Sequence, residues 1–221
     1  MSDSLKTEKA SVKEVPLKFH DITKDEIPEV VKLVEDAYYA GDIHFIDYEK
    51  KSEENFESKI GPKIYTRTSE KELLDMIANS NDIFFGARID TSQVDGQASN
   101  QDIVGCAFIE KCSIDYAGLD GTKNPCKLGY VCTHLKYQNL GIGKKIMKKT
   151  LSIARERMFD EVIISVVDHK DWLKKWYSSQ FGFMQLNDET EEWPVAVSCF
   201  VREEFKDSTK FALMRMKIKS V

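Results

Sequence analysis

The sequence predicts one α/β domain whose central sheet begins as an antiparallel meander. A chain of 221 residues suits one large domain or two small ones. Its hydrophobic and charged fractions, 42% and 31%, are those of a globular protein. Strand and helix patterns alternate along the chain, and three strand patterns follow one another in its middle. We therefore expect a single packed domain rather than a disordered chain or a coiled coil.

The folded domain is predicted to follow a polar stretch at the start of the chain. Residues 1–15 offer little apolar surface to bury and are predicted to be a mobile N-terminal segment. Residues 16–221 are assigned to the single domain. Its first strand is predicted at 17–22, where apolar and polar residues alternate.

A first helix is predicted after Thr23 or Asp25, either of which can cap its N-terminus, and it is expected to end at Gly41. Apolar residues at helical spacing form its buried face: Ile27, Val30, Val31, Val34 and Tyr38. The weaker pattern of residues 42–68 predicts a mixed loop with short helical pieces.

A second helix and the meander follow. Residues 69–72 have the spacing of a capping box and begin the helix. Its apolar face consists of Leu73, Leu74, Ile77 and Ala78. Strands are then predicted at 83–89, 103–109 and 128–134, with residues 90–102 as a long, mobile hairpin loop.

The last third of the chain completes the predicted sheet. An amphipathic helix is predicted at 142–158. The apolar run 161–167 is typical of a central strand that is covered on both faces. A short helix at 171–179 and closing strands at 184–186 and 211–218 follow.

Composition excludes several classes of protein. Lys and Arg total 32 and Asp and Glu total 37, and the resulting net charge of −5 argues against binding nucleic acid through overall charge. Neither a secretory signal pattern nor an apolar run of ~18 residues is present, so we expect a cytoplasmic protein that binds no membrane. The five cysteines include no C-x-x-C pair and the four histidines no i, i+4 pair, so neither a disulfide framework nor a metal site is predicted.

The segment 133–144 joins an apolar strand to a helix and carries the pattern Gln-x-x-Gly-x-Gly. Gly141 and Gly143 allow a ligand close to the backbone, and the start of the helix presents free N–H groups. Gln138 adds a side-chain donor and Lys144 a cation, both suited to a pyrophosphate. The segment has neither the Gly-Lys-Ser/Thr of a Walker loop nor the βαβ context of a dinucleotide site. By itself it also fits a tight strand-to-helix turn.

Residues 172–183 form a second motif, an aromatic-rich helix that ends at Gly182-Phe183. The order of strand, Gln-x-x-Gly-x-Gly loop, long amphipathic helix, apolar strand and aromatic helix resembles the GNAT superfamily of acetyl-CoA-dependent N-acetyltransferases. The resemblance covers the order of elements over 17–218 and the motifs over 126–186.

This resemblance implies a mixed, mostly antiparallel central sheet flanked by helices and splayed between the strands at 128–134 and 161–167. Acetyl-CoA is the implied cofactor. Its pantetheine arm is expected to bind along the first of these strands, at Val131, Cys132 and Thr133. The pyrophosphate is expected on the loop formed by Gln138, Asn139, Leu140, Gly141, Ile142, Gly143 and Lys144.

The resemblance also implies direct attack of an amine on the thioester, without a covalent enzyme intermediate, so Cys132 is interpreted as a small buried side chain. A backbone N–H within 132–134 is the candidate donor to the oxyanion. Tyr177 is the candidate acid that protonates the departing thiolate. The spacing from Tyr177 to Phe183 is one residue longer than the common family pattern, which would instead put Ser178 at the acid position.

The general base is less well defined by the sequence. Some members of the superfamily carry a carboxylate on the strand before the loop, where this chain has Lys127 and Gly129. Glu110 and His134 are the remaining candidates, and each is equally consistent with an ordinary surface residue. A chain of water molecules leading to bulk solvent is the alternative.

Local charge is the only sequence indication of the acceptor. Residues 134–157 hold seven Lys or Arg and one Glu, which suits a phosphorylated cofactor. Residues 21–57 hold twelve Asp or Glu and four Lys; an acidic rim there would favour a cationic amine, and a solvated surface explains the charges equally well. We expect a small-molecule primary amine as acceptor and a monomer or homodimer. A protein lysine or N-terminus as acceptor, and a non-catalytic CoA-binding module, remain open alternatives.

Overall fold

Seven strands form one mixed β-sheet in the part of the chain that the computed structural model describes, residues 15–49, 66–91, 102–113, 124–192, 200–206 and 210–218. The strands are β1 (Leu17–Asp21), β2 (Ile83–Ile89), β3 (Gly105–Lys111), β4 (Pro125–Thr133), β5 (Glu161–Val167), β6 (Met184–Glu191) and β7 (Phe211–Lys217). Their order across the sheet is β1-β2-β3-β4-β5-β7-β6. The β4–β5 pair is parallel and the other neighbouring pairs are antiparallel. The prediction of a mixed, mostly antiparallel sheet is thus confirmed.

Helices cover both faces of this sheet. In the described residues they are α1 (Ile27–Asp42), α2 (Glu70–Ala78), α3 (Ile142–Glu156) and α4 (Asp171–Phe181). α1 and α2 pack on one face, where Leu73 is buried with Phe84 and Phe108. α3 and α4 pack on the other face, against Phe85 and Ala107. Because side chains alternate along a strand, the neighbours Phe84 and Phe85 enter different cores.

The predicted elements are present with shifts at their ends. α1 continues to Asp42 instead of ending at Gly41. A single 3₁₀ turn precedes it, in which the Glu26 carboxylate accepts a hydrogen bond from the Thr23 amide at 2.9 Å. α4 continues to Phe181. Such shifts are expected, because the last turn of a helix depends on contacts that local sequence does not encode.

Three sequence predictions concern segments that lie wholly or partly outside the described residues. They are the mobile N-terminal segment 1–15, the mixed loop 42–68 and the hairpin loop 90–102. Within the second of these, Phe45 and Ile46 are described and buried. Ile46 forms an isolated antiparallel bridge with Val201, which joins the end of α1 to the segment before β7.

The sheet splays between β4 and β5, as the family resemblance implies. Their parallel pairing runs from Pro125, opposite Glu161, only to Leu128, opposite Ile164. β3 and β4, in contrast, remain paired as far as Thr133. The second half of β4 therefore follows β3 and leaves β5.

A bulge in β4 accompanies this divergence. Cys106 of β3 pairs with Cys132, but Phe108 pairs with Gly129, so β4 has one residue more than β3 in this interval. Tyr130, inside the interval, has a left-handed φ of 49°. A bulge bends its strand and increases its twist, which is the change of direction that β4 needs. No sequence pattern predicted it.

Candidate active site

The loop before α3 presents a set of backbone N–H groups. Gly141 caps the helix with a φ of 76°, and Asn139 has a φ of 62°. The first helical hydrogen bond runs from the Lys145 amide to the Gly141 carbonyl at 3.2 Å. The amides of Ile142, Gly143 and Lys144 therefore have no acceptor within the helix and can bind an anion.

The two glycines of this loop serve different purposes. A Cβ on Gly141 would meet nothing within 4 Å, so glycine is required there by its left-handed backbone and not by crowding. A Cβ on Gly143 would lie 3.5 Å from the Thr133 hydroxyl, which shows how closely the start of α3 approaches the end of β4.

Side chains of the loop reach α4. The Lys144 ammonium donates a hydrogen bond to Gln180 Oε1 at 2.8 Å, which joins the first turn of α3 to the last turn of α4. Gln138 and Asn139 are exposed, and Leu140 is partly so. The predicted cofactor residues of the loop and of β4 thus lie together at one end of the sheet.

The end of β4 directs two sets of backbone groups to the opening beside β5. The His134 amide donates to the Val104 carbonyl at 2.9 Å, on the β3 side. Because successive residues of a strand direct their N–H and C=O groups to opposite sides, those of Thr133 and Val131 face away from β3. The amides of Cys132 and His134 face β3, so Thr133 carries the candidate oxyanion donor within 132–134.

Tyr177 lies inside the protein and Ser178 on its surface. The Tyr177 side chain is 7% exposed, and its ring packs edge-on at 5.7 Å from Phe183 and 5.0 Å from Trp176. Ser178 is exposed. Burial, with a smaller contribution from the nearby Tyr38 phenol, raises the pKa of Tyr177 above its usual range. The phenol therefore stays protonated at neutral pH, as a general acid must.

Neither candidate base, Glu110 or His134, has a position that suits the role. Glu110 is exposed and pairs with Lys127 of β4. It lies five residues along β3 from Gly105, the residue that pairs with Thr133. At ~3.3 Å per residue it is displaced from Thr133 by about 16 Å along the sheet. The His134 ring caps the turn after β4, with Nδ1 accepting from the Lys136 amide at 3.1 Å. Neither geometry supports the role of base.

Cys132 is packed as predicted for a small buried side chain. Its sulfur lies 3.4 Å from that of Cys106, and both residues are buried. The hydrogen bond to Cys132, together with burial, raises the pKa of the Cys106 thiol. The raised pKa makes Cys106 a poor nucleophile, because the reactive form is the thiolate.

An aromatic and charged group borders the site on the side of α1. The Arg67 guanidinium carbon lies 4.5 Å from the centre of the Tyr38 ring and 6.0 Å from that of Tyr130. The Tyr130 hydroxyl donates to Glu72 Oε1 at 2.5 Å. The sequence analysis placed Tyr38 on the buried face of a helix and did not single out the other three. The four residues come from α1, the segment before α2, α2 itself and β4, and no local spacing relates them.

Most described carboxylates of the acidic first segment have partners within the protein. Glu26 binds Arg88 at 2.7 Å. The Ile103 amide donates to Glu29, and the Thr68 amide donates to Glu35. Asp36 pairs with Lys32 at 2.6 Å. Asp42 pairs with Lys170 at 2.5 Å, with both side chains largely buried. The ion pairs of Glu26, Asp36 and Asp42 cancel part of the charge, so the net charge of this segment overstates the field that it projects.

A sequence model described as the acetyltransferase (GNAT) family matches residues 49–183, more than half of the chain. The chain belongs to the GNAT family. Its enzyme class is accordingly that of an N-acetyltransferase that uses acetyl-CoA, and the predicted fold, enzyme class and cofactor are confirmed. The free amides in the first turn of α3 and the backbone groups that face the gap beside β4 fit that cofactor. No curated protein matches this GNAT sequence.

Solved structures share the fold of this GNAT acetyltransferase at low sequence identity. A GNAT-family acetyltransferase from Staphylococcus aureus is 15% identical, with a TM-score of 0.54 over 92% of this chain and 99% of the other. The yncA protein of Salmonella typhimurium, solved with its cofactor acetyl-CoA, is 12% identical, with a TM-score of 0.56 over 93% and 95%. A ribosomal-protein-alanine N-acetyltransferase from Brucella melitensis is 14% identical, with a TM-score of 0.55 over 90% and 99%.

Membrane and metal sites were sought in the same parts of the chain. Among the described helices, none is long and apolar enough to cross a membrane. No group of three or more His, Cys, Asp or Glu residues there is arranged to hold a metal ion.

Proposed function

We propose that this enzyme acetylates the primary amine of a small molecule by direct attack of the amine on the thioester. The observation that carries the proposal is the end of β4–β5 pairing at Leu128, which leaves the backbone groups of Val131 and Thr133 facing a gap. A strand-like ligand can occupy such a gap by hydrogen bonding to the free edge of β4.

The residues that would hold acetyl-CoA follow from the same geometry. Val131 and Thr133 would bind the pantetheine arm through their backbone groups. The loop of 138–144 would bind the pyrophosphate through its amides and the Lys144 ammonium. Acetyl-CoA supplies the acetyl group as an activated thioester. The Thr133 amide would donate a hydrogen bond to the acetyl carbonyl oxygen, where negative charge develops.

Tyr177 would hold the proton that the departing sulfur requires. Its burial and its raised pKa support this role, because both keep the phenol neutral and ready to donate. The exposure of Ser178 supports the same register, in which the extra residue before Phe183 is accommodated beyond Tyr177. We assign the uptake of the amine proton to water that leads to bulk solvent, since neither Glu110 nor His134 is placed to receive it.

A small acceptor is supported by the dense packing beside the gap. Tyr130 and Cys132 are 9% and 8% exposed, and Tyr38 packs edge-on at 6.5 Å from Tyr130. These side chains form a wall on the α1 side that suits a narrow substrate better than a broad protein surface. A second positive charge on the acceptor is proposed on the contacts of Arg67, which are treated below.

Release of CoA, measured with a thiol reagent, tests the proposal. We expect release with one or more members of a panel of primary monoamines and diamines, together with transfer of a 42-Da acetyl group to the amine in about equal amount. Peptides with a free N-terminus or a lysine form the second arm. Release with peptides alone would replace the small-molecule proposal with a protein acceptor. Binding of acetyl-CoA without release in any arm would contradict catalysis.

A further inference from the structure

The guanidinium of Arg67 packs on two tyrosine rings, one of which belongs to β4. The Arg67 guanidinium lies over the Tyr38 ring at 4.5 Å and within 6.0 Å of the centre of the Tyr130 ring. A cation within about 6 Å of an aromatic face is attracted to it, and the attraction is stronger when water is excluded. Tyr130 is 9% exposed, so this site is partly dry.

Two carboxylates bind the residue that follows Arg67. Glu35 accepts a hydrogen bond from the Thr68 amide at 2.8 Å. Burial raises the pKa of Glu35, and this hydrogen bond and the charge of Arg67 oppose the rise. Glu72 accepts hydrogen bonds from the Tyr130 hydroxyl at 2.5 Å and from the Thr68 hydroxyl at 3.2 Å. Both glutamates therefore contact Thr68, the residue that follows Arg67, and Glu72 also contacts one of the two tyrosines that pack on the guanidinium. We refer to Tyr38, Tyr130, Glu35 and Glu72 as the cation cage.

The cation cage adjoins the reacting groups of the proposed mechanism. Tyr130 immediately precedes Val131 on β4, and its left-handed backbone directs its side chain into the core under α1 and α2. Burial raises the pKa of Tyr38 to about 12, and Arg67, Cys132 and Asp42 are close enough to act on it electrostatically. The Tyr38 phenol also acts on Tyr177. Tyr130 therefore joins the cation cage to the strand that carries the candidate cofactor residues Val131 and Thr133.

We propose that the cation cage is a subsite for a positively charged group of the acceptor, and that Arg67 is its internal competitor. The proposal rests on the proposed function and names the substrate class more closely: an amine with a second positive charge, such as a diamine. Two carboxylates against one guanidinium leave an excess negative charge, and the aromatic faces suit an ammonium as well as they suit a guanidinium. An acceptor ammonium would therefore enter the cage at the expense of the Arg67 contacts.

The experiment compares 1,4-diaminobutane with butylamine, which differ in the second charge. The measured quantity is the ratio of kcat/KM for the diamine to that for the monoamine. In Arg67→Gln this ratio should rise about tenfold, a change that corresponds to about 1.4 kcal/mol. In Tyr38→Leu it should fall about fivefold, and in Tyr38→Phe, which keeps the ring, it should stay within twofold of the unmodified enzyme. Tyr39→Leu is the matched control, because Tyr39 is on the same helix but 45% exposed and packed against Tyr48.

Direct binding separates this proposal from the proposed function. Titration calorimetry of 1,4-diaminobutane into the folded protein should show about tenfold tighter binding to Arg67→Gln than to the unmodified chain. That result would stand even if no amine in the panel were acetylated. An unchanged diamine ratio and unchanged binding in Arg67→Gln would overturn the cage proposal. A loss of diamine binding would also overturn it, since Arg67 would then bind the acceptor instead of competing with it.

Discussion

Replacement of Tyr177 by Phe tests the acid of the proposed mechanism. The change removes one hydroxyl from a side chain that is 7% exposed and leaves its ring contacts with Phe183 and Trp176 in place. Among the described residues no hydrogen bond to this hydroxyl is present, so the free energy of unfolding should change by less than about 1 kcal/mol. Turnover should fall roughly 100-fold, the usual contribution of a positioned general acid.

The assay is release of CoA under saturating acetyl-CoA, with calorimetric cofactor affinity as a check that the site is intact. Because burial raises the pKa of Tyr177, its phenol stays protonated as the pH rises through the ordinary range near 10, and its ionisation should produce no alkaline loss of activity below about pH 10. Ser178→Ala is the control and should retain turnover within about twofold. A slow Ser178→Ala enzyme beside a normal Tyr177→Phe enzyme would contradict the assignment and move the acid to the serine.

Two further predictions concern the cofactor loop and the stability of the fold. Gly141→Ala forces an L-residue to a φ of 76°, which costs about 1–2 kcal/mol or displaces the loop, so calorimetric affinity for acetyl-CoA should fall about tenfold. Gly182→Ala, at a φ of 80° outside the loop, should lose comparable stability with a smaller loss of affinity; equal affinity losses would contradict the phosphate role of the loop. Burial disfavours the charged form of Glu26, but hydrogen bonds from Thr23, Arg88 and His20 outweigh it and lower its pKa to about 2. Because the pKa of Glu26 is lower in the folded state, its carboxylate stabilises the protein above the unfolded pKa near 4.5. This contribution is lost as the pH falls towards 2. Glu26→Gln should therefore lower the free energy of unfolding, measured by urea titration, by roughly 1–3 kcal/mol at pH 7 and by much less at pH 3. An equal loss at both pH values would show that Glu26 acts through packing.

The sheet was predictable because its strands have strong local patterns. The alternation at 17–22 and the continuous apolar run at 161–167 each match an observed strand, and the apolar run lies in the sheet interior between β4 and β7. The splay beside β4 was reached through the family resemblance alone. Its physical cause, the bulge at Tyr130, has no local signal, because a β-branched and aromatic strand sequence looks the same with or without an extra residue.

Glu110 shows why proximity along the chain is a poor guide to a site within a sheet. The sequence analysis names it as a candidate base, and it directly follows the strand predicted at 103–109. β3 and β4 are antiparallel, however, so the end of β3 lies beside the beginning of β4 and far from Thr133. Antiparallel pairing of the strands predicted at 103–109 and 128–134 would have excluded Glu110 as the base from the sequence alone.

For residues 21–57, the number of carboxylates in the sequence is a poor measure of the electrostatic field that they produce. A count of twelve carboxylates treats each as a free charge, yet the structure gives Glu26, Asp36 and Asp42 Lys or Arg partners at 2.5–2.7 Å. Paired charges cancel beyond a few ångströms, and solvent screens the remainder within about 8 Å at physiological ionic strength. The described carboxylates that can act on an acceptor are therefore those that adjoin the gap itself. In the cation-cage proposal these are Glu35 and Glu72. Glu72 accepts a hydrogen bond from the buried Tyr130, and Arg67 acts electrostatically on Glu35. Exclusion of water there would make a short-range attraction stronger than the net charge of the segment suggests.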